Sequence, residues 1–169
     1  MTYLLDTQVV SFFFQARRHD ELAAAAASSP LAIVDDVHGE LAEDPTRGAL
    51  FRRWFPTSHI ELRSVEVGSA EEALLTRLAT GLTTSRGRGE RASIAVAATD
   101  ARFVFTGMDR GAMWIALREL WTPGERLIGL PVFLRRMVEL AALPREAADD
   151  VMRHSNQVLP TWWADWRAG

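Results

Sequence analysis

Four acidic side chains, Asp6, Glu40, Glu90 and Asp109, stand at the end of an apolar stretch or in the opening of the helical segment that follows one. Asp6 closes Tyr3-Leu4-Leu5. Glu40 comes after Leu31-Ala32-Ile33-Val34, within Asp36-Val37-His38-Gly39-Glu40-Leu41. Glu90 opens an alanine-rich segment that runs to Ala97, and Asp109 follows Phe103-Val104-Phe105-Thr106-Gly107-Met108. In open α/β sheets the carboxyl ends of the strands line the ligand crevice, so residues remote in sequence meet there. Carboxylates that converge repel one another and need a cation, and hard oxygen ligands suit magnesium or manganese. Taken singly, each of these residues reads as a helix cap or a partner of a helix dipole. As an ordered set they read as a site for a divalent metal, which can activate a bound water.

The elements that must position them alternate along the chain. Residues 2 to 5 are apolar without alternation, as in a central strand covered on both faces. Val9, Phe12, Phe13 and Ala16 then recur at helical spacing as far as Arg17 and Arg18, and Val10 with Phe14 makes a second stripe for a later helix or a partner chain to bury. A helix over 21–27 leads through Pro30 to a strand at 31–34, after which Asp36 is placed to cap a helix turning Val37 and Leu41 inward. Residues 45–59 form a helix and loop, and 60–65 alternate as a more exposed strand. Ser69 with Glu71 and Glu72 opens a helix that ends at Gly81. Residues 83–89, rich in Thr, Ser, Arg and Gly, read as a mobile loop before the helix that Glu90 opens, where Glu40 and Glu90 both fall in first helical turns. A strand at 103–105, a helix over 111–120 and a short strand at 127–128 complete the alternation, which predicts an α/β fold with a mostly parallel central sheet between helical layers. Pro131 starts a helix holding Val132, Leu134, Met137, Val138 and Ala141, Pro144 starts another, and a Trp-rich tail follows. No linker divides the chain, so residues 1–130 form the core and 131–169 a helical extension of the same domain.

Composition narrows the function. The 169 residues, 48% hydrophobic, suffice for one domain with a full core. The absence of cysteine excludes disulfides, thiol catalysis and cysteine-ligated zinc. The start of the chain lacks a signal-peptide core and no apolar run is long enough for a bilayer, so a soluble cytoplasmic protein without membrane contact is expected. A formal net charge of -3 argues against broad attraction to nucleic acid, although all 19 basic residues are arginine, which suits bidentate phosphate contact locally. The histidines His19, His38, His59 and His154 lack zinc-ligand spacing, and there is no nucleophile elbow or phosphate-binding glycine loop.

In order and spacing, Leu4-Leu5-Asp6-Thr7, Glu40-Leu41 opening a helix, Gly89-Glu90 before alanines, and Thr106-Gly107 followed by Asp109-Arg110 resemble the PIN-domain ribonucleases, a family that includes the toxins of bacterial toxin-antitoxin pairs. The resemblance spans about residues 2 to 130. It implies a PIN-like three-layer α/β/α sandwich and a magnesium- or manganese-dependent endoribonuclease. Asp6, Glu40, Glu90 and Asp109 are then the metal-binding, catalytic carboxylates, with Thr7 and Thr106 as supporting hydroxyls. Two positions depart from the family. Gln8 stands where the family usually has Asn, and Met108 sets Asp109 one place late. Arg86, Arg88, Arg91 and Arg110 flank the acids and are expected to grip RNA phosphates. The expected partners are RNA, an antitoxin protein and a second copy of the chain. Two rival readings are a decayed PIN-like binding module, and a nuclease or phosphatase with no toxin role using the same carboxylates.

Overall fold

The computed structural model describes residues 1–80, 87–120 and 125–168. Five strands, β1 (Thr2–Leu5), β2 (Leu31–Val34), β3 (Glu61–Arg63), β4 (Phe103–Gly107) and β5 (Leu127–Gly129), form one all-parallel sheet in the order β3-β2-β1-β4-β5. The unbroken apolar runs of β1, β2 and β4 are buried on both faces, as central parallel strands must be. The alternating stretch after residue 60 yields the short edge strand β3.

Ten α-helices flank the sheet among the described residues. Between β1 and β2 run α1 (Thr7–Gln15) and α2 (His19–Ser28); α3 (Asp35–Ala42) and α4 (Gly48–Trp54) follow β2, with a 3-10 turn at Phe55–Thr57. After β3 come α5 (Ala70–Ala79) and α6 (Arg88–Thr99), and α7 (Arg110–Leu120) joins β4 to β5. The last three are α8 (Leu130–Glu139), α9 (Arg145–His154) and α10 (Thr161–Ala168). Helix α6 lies on β1, β2 and β4 and packs with α5 and α7; α8 covers β4 and β5 and joins α9, which packs on α1. Tyr3 of β1 meets Phe133 of α8 edge-on at 5.5 Å, so the extension after residue 130 shares the main core. No helix among the described residues is long and apolar enough to cross a membrane.

Successive strands move outward from β1 to β3, and the chain then crosses back to place β4 on the other side of β1. That reversal makes a topological switch point between the carboxyl ends of β1 and β4, the place where open α/β sheets bind ligands.

Several local expectations are corrected. Val10 and Phe14 are buried inside the chain, with Phe14 stacked on His19 at 4.9 Å and edge-on to Trp54 at 5.0 Å. The second stripe of α1 is therefore covered from within and offers nothing to a second copy. Asp36 makes no cap, because Val34 occupies the N-cap position of α3. That early start leaves Glu40 in the last turn of α3 and not the first. Val132 is exposed and Phe133 lies in the core, while Ala141 lies beyond the end of α8 at φ 55 and faces solvent. The Trp-rich tail forms α10, with Trp163 buried and donating from Nε1 to Asp149 Oδ1 at 3.1 Å. Of the expected loop over 83–89, residues 81–86 lie outside the described residues, and α6 already begins at Arg88.

The covered stripe of α1 has a measurable consequence. Phe14→Ala should lower unfolding free energy by about 3–5 kcal/mol in urea titration, the usual loss for a buried phenylalanine. Phe14→Glu should fail to fold, whereas a substitution at an exposed contact between copies would yield a folded monomer.

Candidate functional site

The ladder between β1 and β4 pairs Leu5 with Thr106, and the Asp6 backbone N–H extends it by donating to the Thr106 carbonyl at 3.0 Å. This brings Asp6 to the switch point with no exposed surface. As N-cap of α1 it accepts the Thr7 N–H on Oδ1 at 2.7 Å, while Oδ2 is buried without a hydrogen-bond partner among the described residues. Burial, and then the fields of Glu90, Glu40 and Asp109, push its carboxyl up from 3.8 to about 8, against the lowering effect of the Thr7 N–H. The three other predicted acids are thus close enough to act electrically on Asp6.

Each is placed by a backbone feature of its own. Glu40 accepts the Thr7 hydroxyl on Oε2 at 2.5 Å and the Gly89 N–H on Oε1 at 3.1 Å, which ties the end of α3 to the starts of α1 and α6. Gly89 permits this approach. A Cβ there would stand 2.9 Å from Val37 Cγ2 and 3.1 Å from Glu40 Oε2. Glu90 lies in the first turn of α6, whose N-cap, Gly87, adopts the left-handed φ of 70. A Cβ on Gly87 would lie 3.0 Å from Glu90 Oε2, so the carboxylate folds back over the helix start. Asp109 precedes α7 and accepts the N–H groups of Gly111 at 2.8 Å and Ala112 at 3.1 Å on Oδ1. Anions are favoured at helix N-termini, which offsets part of the repulsion among these groups.

A divalent cation suits this environment on two grounds. Asp6 Oδ2 is an unpartnered buried acceptor, and among the described residues Asp6, Glu40 and Asp109 form no ion pair. The side chains nonetheless stop short of a closed shell, since among the described residues no three acidic or histidine side chains converge on one metal position. Magnesium commonly keeps several waters and takes only one or two carboxylates directly, so Asp6 with one neighbour would suffice.

Thr7 and Thr106 have separate places. Thr7 orients Glu40, and Thr106 is fully buried with Oγ1 unpartnered among the described residues. Gln8 points outward on α1. Met108 is buried, and the extra residue it represents lets Asp109 cap α7. Of the arginines expected to meet phosphate, Arg88 is paired with Asp36 at 2.6 Å and Arg91 is buried. Arg110 is exposed beside Asp109, and Arg86 lies outside the described residues. Both Arg88 and Arg91 line a cleft of about 700 Å3 whose other walls include Asp36, Val65, Leu75 and Thr80 and which none of the four candidate acids lines. Ser93 went unpredicted. It lies one turn after Glu90, fully buried with its Oγ unpartnered among the described residues, and its signal was a hydroxyl on an otherwise apolar helix face.

No family model matches this chain, and neither a curated protein nor a solved structure matches it.

Two outcomes follow from this geometry. Between about pH 4 and pH 8 the unfolded Asp6 carboxyl has lost its proton while the folded one retains it, so this group makes stability fall as pH rises, with the loss complete above about 8. Asp6→Asn in metal-free buffer should remove that slope and leave the variant more stable than wild type at pH 8, read as the difference between their thermal unfolding curves across pH. Gly89→Ala should push Glu40 aside and lower stability by about 1–3 kcal/mol through overpacking at the α3–α6 contact, measured by urea titration.

Proposed function

We propose that this chain is a metal-dependent endoribonuclease of PIN type, acting as the toxin of a toxin-antitoxin pair and using Mg2+ or Mn2+. The observation that carries the reading is the buried Asp6 at the switch point, with one oxygen open and its proton held up to about 8 by burial and by Glu90, Glu40 and Asp109. The PIN resemblance of the sequence supports the same four residues. Asp6 with one of Glu90 and Asp109 would hold the cation directly, the other acting through a bound water, and Glu40, fixed by Thr7 and Gly89, would stand beside them. A bound divalent cation supplies a water of lowered pKa and neutralises phosphate charge. The chain itself contributes a rigid, largely water-excluding strand end, orientation of the carboxylates by helix N-termini, and arginine at the rim in Arg110. Occupation by the cation would displace the Asp6 proton, so metal affinity should rise with pH up to about 8.

A second reading is a PIN-like module that has lost its chemistry and serves binding alone. It is favoured by the incomplete ligand shell and by Gln8 in place of the family's Asn. One experiment separates the two. Purified protein should cut single-stranded or looped RNA with Mn2+ or Mg2+ and stop with a chelator. Asp6→Asn, Glu90→Gln and Asp109→Asn should each reduce cleavage by at least about 100-fold with native circular dichroism, a loss typical of removing a group that stabilises the transition state. Calorimetry should show Mn2+ binding lost in Asp6→Asn. Cleavage that persists equally in all three variants would point to a contaminant, and Mn2+ binding without cleavage would favour the binding module.

A further inference from the structure

We propose that the outer face of α7 is a track for single-stranded RNA, on which one base stacks against Trp114 while Arg110 and Arg118 take the flanking phosphates. The inference rests on the ribonuclease reading and adds to it the place where the substrate strand leaves the acids. Helix α7 starts directly after Asp109. Along it, Arg110, Trp114, Leu117 and Arg118 recur at helical spacing and are all exposed, while Ala112, Ala116 and Leu120 on the opposite face are buried. With a rise of 1.5 Å per residue, the stripe runs about 12 Å from its first arginine to its last.

Trp114 is 73% exposed, and among the described tryptophans it alone faces solvent. Trp54 and Trp163 are buried, and Trp162 and Trp166 are held in a ring cluster under Arg135 and Arg145. Trp114 makes no ring or cation–π contact among the described residues. A single exposed aromatic residue is ordinary on a protein surface. Its setting gives it meaning, because arginines one helical turn to each side bracket an aromatic face that begins at a phosphodiester-cleaving site.

Charge points the same way. Arg110 forms no ion pair among the described residues. At the far end, Arg118 and Arg77 share the single carboxylate of Glu119, at 3.0 and 2.6 Å, so that three-residue cluster keeps a net positive charge on a chain that is acidic as a whole. Both guanidiniums remain exposed, at 69% and 65%. An aromatic platform between cations is the pattern that binds unpaired nucleotides, since every base has a stacking face and every linkage a phosphate. Duplex RNA hides its bases and would gain little from Trp114.

The test is fluorescence anisotropy of a labelled single-stranded oligouridine, its abasic counterpart and a duplex of equal length, in chelator so that nothing is cut. Trp114→Ala should weaken oligouridine binding about 10-fold, within the range of one lost base stack, and Trp114→Phe should recover most of it. Arg118→Ala should lower the salt slope by about 0.7, one phosphate contact on a single strand. The abasic strand and the duplex should not distinguish Trp114→Ala from wild type. Equal oligouridine affinity in Trp114→Ala and wild type would overturn the proposal. So would an equal loss on the abasic strand, or loss of self-association with RNA affinity intact, which would mark a protein interface. If Trp114-dependent binding holds while Mn2+ never yields cleavage, the track stands and the nuclease reading falls. If wild type cuts RNA and Trp114→Ala leaves both KM and kcat unchanged, the track falls and the nuclease reading stands.

Discussion

Strand β1 has hydrogen-bonded neighbours on both sides, and its ladder with β4 continues one residue beyond the strand through the Asp6 N–H and the Thr106 carbonyl. The carboxyl group of Asp6 is therefore carried into the interior by the same pairing that holds the sheet together. A buried carboxylate is expensive to ionise, and neighbouring negative charge makes it more so. Asp6 answers to both effects. Among the described residues only one of its oxygens has a hydrogen-bond partner, and a proton or a cation would relieve the charge on the carboxylate.

The surrounding acids are held by devices that would be wasteful for ordinary surface carboxylates. Glu40 is pinned by a hydroxyl and an amide from two other helices, and the absence of a side chain at Gly89 is what allows the contact. Asp109 takes two amides at the start of α7. Helix N-termini aimed at acids stabilise the anions without delivering a mobile counter-charge, so the negative field at Asp6 persists. Arginine stands on several sides of these acids: Arg88 turns to Asp36, Arg110 faces solvent, and Arg91 is buried in the first turn of α6 next to Glu90.

Much of the fold was legible because its strands are short, apolar and separated by helical periodicity, features fixed by burial in a parallel sheet. The positions of Asp6 and Asp109 after β1 and β4 were legible for the same reason, whereas Glu40 and Glu90 sit in helices and reach Asp6 through packing of α1, α3 and α6. What could not be read depends on contacts between remote segments. The stripe of Val10 and Phe14 looked available for a partner because the sequence does not reveal that Trp54 and His19 close over it. The two-residue shift of the α3 N-cap from Asp36 to Val34 moved Glu40 from the first turn to the last. That Phe133 and not Val132 meets β1 was not legible, because Pro131 fixes where α8 begins but not which side faces the sheet. The pairing of Arg88 with Asp36 likewise joins residues far apart in the chain.

The exposure of Arg110 directly after Asp109 bears on how an anionic polymer could be used here at all. Without a cation, the carboxylates repel phosphate, and the net charge of -3 adds no general attraction. Attraction must then come from local positive surface reaching outward from the acids, and α7 provides it in a helix whose first residue follows Asp109. Such a layout divides labour by position. On the proposed reading, holding the strand falls to exposed arginine and tryptophan, where salt acts, while the buried Asp6 responds to pH and to divalent cations. Because the two regions meet at the Asp109–Arg110 step, a cation that neutralises the acids also removes the repulsion felt by a phosphate at Arg110, so on the proposed reading metal and RNA should favour each other's binding.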